Sequence, residues 1–457
     1  MSQRPAAATT PEDRHEPAFV GLLTALIVAV VLLHLTSFTA PHVEGDEVVF
    51  TFLAERLAID PWAYHLQGAL SGAPARRFIA DTWARLYVPP ADDPRHAQLA
   101  AFFAAKNEAA VLYNPLGDPG QYAYDPAVYD RPMFVHPPLY PYALAAFRAA
   151  IGSSGGPALS LLCHVATVVL VALLGRALAG DRVGLLAAAL VAFDPVSWLC
   201  GARLWIDGMS ESMAAAAVLA AVWARRRDTV WAFVLAGLVL GLAAWTKLST
   251  LVVAPAVLAA VHASSRPPRI AKLVALGGSA AILVICWLAA TRVGYGAWMP
   301  LNRPTPWILQ ENAYLRLVVG RPWHFYVTGL LLVAPVQLYA FAALPGLGRH
   351  PAWRVPAVWV GAGLALLSAL AIAGLGGGFQ LRYLAPVMPG LCLLTAIGIL
   401  RLDWWWAAPA MLLGAMTFTA AFWSAATPAL ADPAPVVLMW YTSGLGVGFK
   451  TLLPGFW

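Results

Sequence analysis

Charge is the scarcest property of this 457-residue chain: Asp, Glu, Lys and Arg make up 11% of it, against 60% hydrophobic residues. A soluble domain carries about 25% charged residues, so the composition argues against a water-exposed globular protein and for an all-α polytopic membrane protein. Cysteine is scarce as well. Cys163, Cys200, Cys286 and Cys392 lie inside or at the ends of apolar runs, with no CxxC or CxxH spacing. That argues against a disulfide framework or a zinc site and leaves them as small packing residues. The chain also lacks a contiguous basic tract. Its formal +6 charge is spread over short clusters, which points away from nucleic acid and toward topology markers between spans.

What is present is a series of long apolar runs. Crossing about 30 Å of hydrocarbon takes about 20 apolar residues. Residues 1–17 are polar and expected to be a disordered cytoplasmic N-terminus. The run 18–38 is too long for a signal-peptide core and reads as a retained first helix. Further spans are expected at 157–176, 183–201, 208–224, 230–246, 248–263, 273–291, 325–347, 355–375, 384–400 and 405–427, about eleven in all. The aromatic-rich tail 428–457 reads as extracytoplasmic or interfacial, with a twelfth span as the alternative.

Parity turns on Tyr140–Ile151, an apolar segment opened by His136-Pro137-Pro138-Leu139 and too short to span comfortably. If it lies flat at the interface, the cytoplasmic loops hold Arg176 and Arg182, then Arg225 to Arg227, then Arg266, Arg269 and Lys272, then Arg349 and Arg354, and then Arg401. That is the asymmetry the positive-inside rule asks for. The outer face then collects the long loop 39–156, the turns near 202–207 and 247, the segment 292–324 and the turn 376–383. The loop, about 118 residues, exceeds any plain connector. It is expected to cap an outward cavity with juxtamembrane helices, helical stretches being expected at Val48–Ile59 and Ala97–Tyr113.

Polar residues gather on that same face. Asp46 and Glu47 follow the first span, where the plain reading is acidic charge in a helix's first turn. Arg203 and Asp207 bracket the start of the next outward turn, at a spacing that also suits an i, i+4 ion pair. Glu211 lies deeper in the same apolar run. Lys247 sits between two apolar runs, either snorkelling to the interface or offering a point charge to a phosphate. Arg382 and Tyr383 follow Gly376-Gly377-Gly378-Phe379, and a guanidinium fork suits phosphate. His136 is held extended before two prolines and is weak evidence for a metal by itself.

Taken together, Gly45-Asp46-Glu47, His136-Pro137-Pro138-Leu139, Asp194-Pro195 with Arg203 and Asp207, Thr246-Lys247, and Arg382-Tyr383-Leu384-Ala385-Pro386-Val387-Met388-Pro389 resemble the GT-C glycosyltransferases. The likeness is to the protein O-mannosyltransferase and lipid A aminoarabinose transferase group (glycosyltransferase family 39-like). It covers most of the chain, best over 18–265. The chain departs from the group by about 75 inserted residues between Glu47 and His136 and by lacking an extended soluble C-terminal region.

The resemblance implies a GT-C-type bundle, its transmembrane domain at 18–427, in the plasma (bacterial inner) membrane. It implies an extracytoplasmic site that moves a sugar from a polyprenyl-phosphate donor to a lipid, glycan or protein acceptor. Asp46 matches the group's catalytic acidic residue. Glu47, His136, Arg203, Asp207, Lys247, Arg382 and Tyr383 match substrate-binding positions. A single inverting displacement needs one base and cations at the departing phosphate. No cofactor is required by this scheme, with a divalent cation among Asp46, Glu47, Asp207 and His136 as an open alternative. Two other classes compete: a secondary transporter, which favours midplane sites and internal repeats, and an O-antigen-type polymerase or ligase, which would not require Asp46-Glu47.

Overall fold

The computed structural model describes residues 16–37, 45–64, 97, 112–114, 118–123, 137–262, 269–295, 298, 324–373, 381–402 and 404–426. Helix α1 (Glu16–Ser37) is followed by α2 (Gly45–Ile59) in the long first loop. That loop also holds a two-stranded antiparallel hairpin, β1 (Leu112–Asn114) and β2 (Asp118–Ala123), bulged between Tyr113 and Asn114. Of the helix expected over Ala97–Tyr113, residues 98–111 lie outside the described residues, and Leu112 and Tyr113 are in strand. Apart from this short hairpin, the regular elements among the described residues are helices, as expected for an all-α bundle. Then come α3 (Leu139–Ile151), α4 (Gly155–Ala179), α5 (Asp181–Ala192), α6 (Pro195–Ala202), α7 (Ile206–Arg227), α8 (Val230–Thr246), α9 (Ala254–His262) and α10 (Ile270–Tyr295). The series closes with α11 (Phe325–Val333), α12 (Arg354–Ala373), α13 (Met388–Arg401) and α14 (Trp404–Ala426).

Every expected span has a helical counterpart, some of them broken. The run 183–201 is α5 and α6, bent by 60° around Asp194. The run 325–347 is α11 plus a 3-10 helix, Pro335–Gly346, that starts where Pro335 stops the α-helical ladder. Five helical stretches among the described residues are long and apolar enough to cross a membrane, six if the bent pair counts as one. The strict number falls below eleven for physical reasons. α7 carries Asp207, Glu211 and three terminal arginines, and α8 and α9 run only 17 and 9 residues.

The segment that decided parity is a helix of its own. Gly152, at φ 65°, ends α3. Gly155 then lets α4 turn back against the backbone of Phe147 and Arg148, where a Cβ would collide. α2 lies on α3: Phe50 meets Tyr140 edge to face at 5.1 Å, and Arg148 pairs with Glu55 at 2.5 Å. Tyr142 Oη donates to the carbonyl of Pro61 at 2.5 Å. The helix carrying Asp46 is thereby tied to the helix that follows His136.

α7 runs through the centre, its face of Ala214, Ala215, Ala217, Val218 and Ala221 fully buried. Small side chains let neighbouring helices approach closely where the bilayer gives little hydrophobic drive. The helix has 22 residues, about 33 Å at 1.5 Å per residue, close to the bilayer core. At its C-terminal end Arg226 donates to the Ala177 carbonyl of α4 at 2.6 Å, and Asp228 joins Arg225 (3.1 Å) to Lys272 (2.6 Å) at the start of α10. The loops following α4 and α7 and the start of α10, expected to share a face, therefore meet at one end of the bundle.

α8 and α10 interlock tightly. Ser279 Oγ of α10 donates to the Val234 carbonyl at 3.0 Å, and Trp245 Nε1 of α8 donates to the Leu283 carbonyl at 2.7 Å. Between these bonds a side chain at Gly237 would collide with Ser279 Oγ and the Leu276 carbonyl. Gly237→Val is expected to destabilise the protein by about 1–3 kcal/mol through overpacking, read as a lower thermal midpoint in detergent. An unchanged midpoint would show that the two helices do not meet there.

Candidate active site

At the other end of α7, three sequence-distant segments converge. α6 ends at Arg203, whose extended backbone (φ −114°, ψ 156°) turns the chain before α7 begins. Ser160 Oγ of α4 holds that turn by donating to the Arg203 carbonyl at 2.8 Å. Asp207 lies in the first turn of α7 and is 1% exposed. Lys247 is the extended residue capping α8. The 3-10 helix after it, Leu248–Val253, is tied to α7 by the 2.6 Å contact between Ser210 Oγ and Thr250 Oγ1. Arg382 and Tyr383 sit in the 3-10 helix Leu381–Val387, fixed by Trp359 Nε1 of α12 donating to the Pro386 carbonyl at 2.8 Å.

Asp207 is the hub. Lys247 Nζ donates to its Oδ1 at 2.6 Å, and Arg382 Nε stands 3.8 Å from its Oδ2. Oδ2 makes no hydrogen bond among the described residues. Aromatic faces hold the cations from the other side. Lys247 Nζ lies 3.9 Å from the Tyr383 ring centroid, and the Arg382 guanidinium lies 4.6 Å from that of Trp205. Cation–π contacts of this kind contribute more once water is removed. Arg203, 2% exposed, adds a third buried cation at the same turn. Lys247 and Arg382, set against the buried Asp207 with Arg203 nearby, gather cationic groups of the kind that suit an anion such as a phosphate.

Five of the eight sequence-predicted site residues are therefore described. Asp207, Lys247, Arg382 and Tyr383 are in mutual contact, and Arg203 is buried on the turn that leads to them. Arg203 and Asp207 do not share a helix, the first capping α6 and the second lying in the first turn of α7. The side chains of Asp46 and Glu47 lie outside the described residues, although the backbone places both in the first turn of α2. His136 lies outside them altogether. Among the described residues, no group of three His, Cys, Asp or Glu side chains is placed to hold a metal.

Sequence reasoning missed Trp205, and it singled out Asp194 and Glu211 without their convergence in a second polar cluster behind α6. Asp194 caps α6, accepting from Val196 N at 2.8 Å and Ser197 N at 3.2 Å. Ser197 Oγ donates to Glu211 Oε1 at 2.6 Å. Gln337 is another member, and its signal was a lone amide in an otherwise apolar run.

Asp207→Asn keeps the shape and removes the counter-charge shared by Lys247 and Arg382. It is expected to cost roughly 3 kcal/mol, as for breaking a buried pair, with part recovered on adding Lys247→Met. A double-mutant cycle on detergent-solubilised protein checks this. Strict additivity would mean that the 2.6 Å pair does not couple.

Residues 135–290, about a third of the chain, match the family model described as dolichyl-phosphate-mannose-protein mannosyltransferase. The matched stretch contains His136, Arg203, Asp207 and Lys247. No curated protein matches the chain in sequence. Among solved structures, ArnT from Cupriavidus metallidurans bound to undecaprenyl phosphate superposes with a TM-score of 0.55 at 15% identity, over 92% of this chain and 68% of that one. Its apo state superposes with the same score and identity over 93% and 68%. The oligosaccharyltransferase AglB from Archaeoglobus fulgidus, in complex with an inhibitory peptide and a dolichol-phosphate, gives 0.41 at 14% identity, over 81% and 59%. This chain is a multi-pass helical membrane protein with the GT-C glycosyltransferase fold.

Proposed function

We propose that the protein transfers a sugar from a polyprenyl-phosphate donor to an acceptor hydroxyl or amine, with Asp46 as the base. The observation that carries this reading is the convergence of Lys247 and Arg382, from segments 135 residues apart in numbering (382 − 247), on the buried Asp207. A donor of this class carries one phosphate charge and leaves as a phosphate monoester with a second. Charge therefore grows on the departing oxygen as the bond to the anomeric carbon breaks. Cations already fixed at that place stabilise it without reorganising. The acceptor heteroatom bonds to the anomeric carbon from the opposite side, its proton passes to Asp46, and the carbon inverts. Glu47 supports Asp46, and His136 contacts the phosphate or the acceptor.

The match to a mannosyltransferase family model and the fold shared with a protein solved with undecaprenyl phosphate support the donor class. The site lies at the end of α7 away from Arg225, Arg226 and Arg227. With those arginines cytoplasmic under the positive-inside rule, the site faces the extracytoplasmic side of the plasma membrane. The loop 39–156 would then cap it, residues 1–17 would be cytoplasmic, and 428–457 would lie outside or at the interface. Asp207 serves in this scheme by holding the two cations, and Tyr383 by backing Lys247.

In membranes supplied with a polyprenyl-phosphate sugar, Asp46→Asn should lower transfer about 10²–10⁴-fold. Lys247→Ala and Arg382→Ala should each lower it about 10²–10³-fold, with the protein still inserted. Full transfer by the Asp46 variant would sink the base assignment. Full transfer by both cation variants would sink the phosphate site.

A further inference from the structure

The polar cluster behind α6 has no part in the chemistry proposed above, yet it joins the two halves of the cation site. Gln337 is central to it. The side chain is 3% exposed, in the 3-10 helix Pro335–Gly346, and all of its amide is engaged. Nε2 donates to Asp194 Oδ2 at 3.1 Å and to Cys392 Sγ at 3.4 Å, and Oε1 accepts from Thr395 Oγ1 at 2.6 Å. Cys392 and Thr395 belong to α13, the helix that directly continues the segment carrying Arg382 and Tyr383. Asp194 caps α6, the helix that delivers Arg203 and leads into Asp207.

The connection is short and stiff. α6 has eight residues, about 12 Å at 1.5 Å per residue, so a shift at its capped end carries to Arg203. Ser197, in the first turn of α6, is bonded to Glu211, one turn beyond Asp207 on α7. In an apolar interior, losing one partner of such a network leaves the others unsatisfied, so the whole array has a single good arrangement.

We propose that Gln337 is a positioning residue for the cation site: by clamping Asp194 to α13, it fixes Arg203 and Asp207 relative to Arg382. The inference rests on the sugar-transfer reading for its kinetic arm only.

The test compares wild type, Gln337→Leu, and the exchanged pair Asp194→Asn with Gln337→Glu, which restores an amide-to-carboxylate bond with the polarity reversed. Two quantities are read on the full-length protein in lipid nanodiscs. One is hydrogen exchange across Pro195–Ala202, followed by mass spectrometry. The other is steady-state transfer from a polyprenyl-phosphate sugar. Gln337→Leu should speed exchange in α6 about tenfold while α10 is unchanged. It should also lower kcat roughly ten- to hundredfold, the scale of a misplacement remote from the chemistry, and the exchanged pair should recover both. Loosened exchange with wild-type kcat, or unchanged exchange, overturns the proposal. So does failure of the exchanged pair to recover kcat once α6 exchange has returned to normal. If wild type shows no transfer at all, the sugar-transfer reading fails, and the exchange arm still decides whether the clamp exists. Thr395→Val, which removes one hydroxyl donor, carries the same comparison if Gln337→Leu does not fold.

Discussion

The structure depends on one buried carboxylate. Arg203, Lys247 and Arg382 would repel one another in an interior from which water is largely excluded, and ionisable groups there carry a high desolvation cost. Asp207 makes the arrangement tolerable by taking Lys247 on one oxygen and facing Arg382 with the other. Because those cations come from the ends of α8 and the start of the α13 segment, the ion pair also fixes where those elements stop. Trp205 and Tyr383 complete the confinement, offering ring faces to Arg382 and Lys247.

Much of the architecture was legible in the sequence because bilayer thickness and apolar run length are tied by simple geometry. All eleven expected spans have helical counterparts, and Val48–Ile59 lies within α2. What escaped the pattern were the breaks. Nothing in hydropathy distinguishes a straight span from the 60° bend at Asp194, or from the change to 3-10 helix at Pro335. The signals for both were local: an Asp-Pro pair able to cap a new helix, and a proline that ends the α-helical ladder. The hairpin at 112–123 was illegible for another reason. Its strands are three and six residues long and lack the alternation that marks a longer half-buried strand.

The site was legible through parity rather than through any motif. Once α3 is set apart from the spans, Asp207, Lys247 and Arg382 fall at one end, and the structure brings them into contact. The offset between Arg203 and Asp207 did not reveal that they sit on successive helices, since four residues count as one turn only within a single helix. Trp205 was missed since an aromatic among apolar residues carries no mark of a cation partner. Gln337 and Asp194 are 143 positions apart, a separation that run length and periodicity cannot bridge.

The bent pair α5 and α6 bears on the transporter alternative. Broken spans with polar groups are how many transporters present a helix N-terminus to an anionic substrate at the bilayer midplane. Here that terminus is already filled. Asp194 Oδ1 takes the Val196 and Ser197 amides, Oδ2 takes Gln337, and the remaining Gln337 groups go to Thr395 and Cys392. Among the described residues the Val196 and Ser197 amides at the break are taken, and its polar groups hold helices together instead. The cations lie about 12 Å away along the eight residues of α6, at one end of α7. The polar groups at the break thus serve the packing of α6 against α13, while the cations gather around Asp207 at the end of α7.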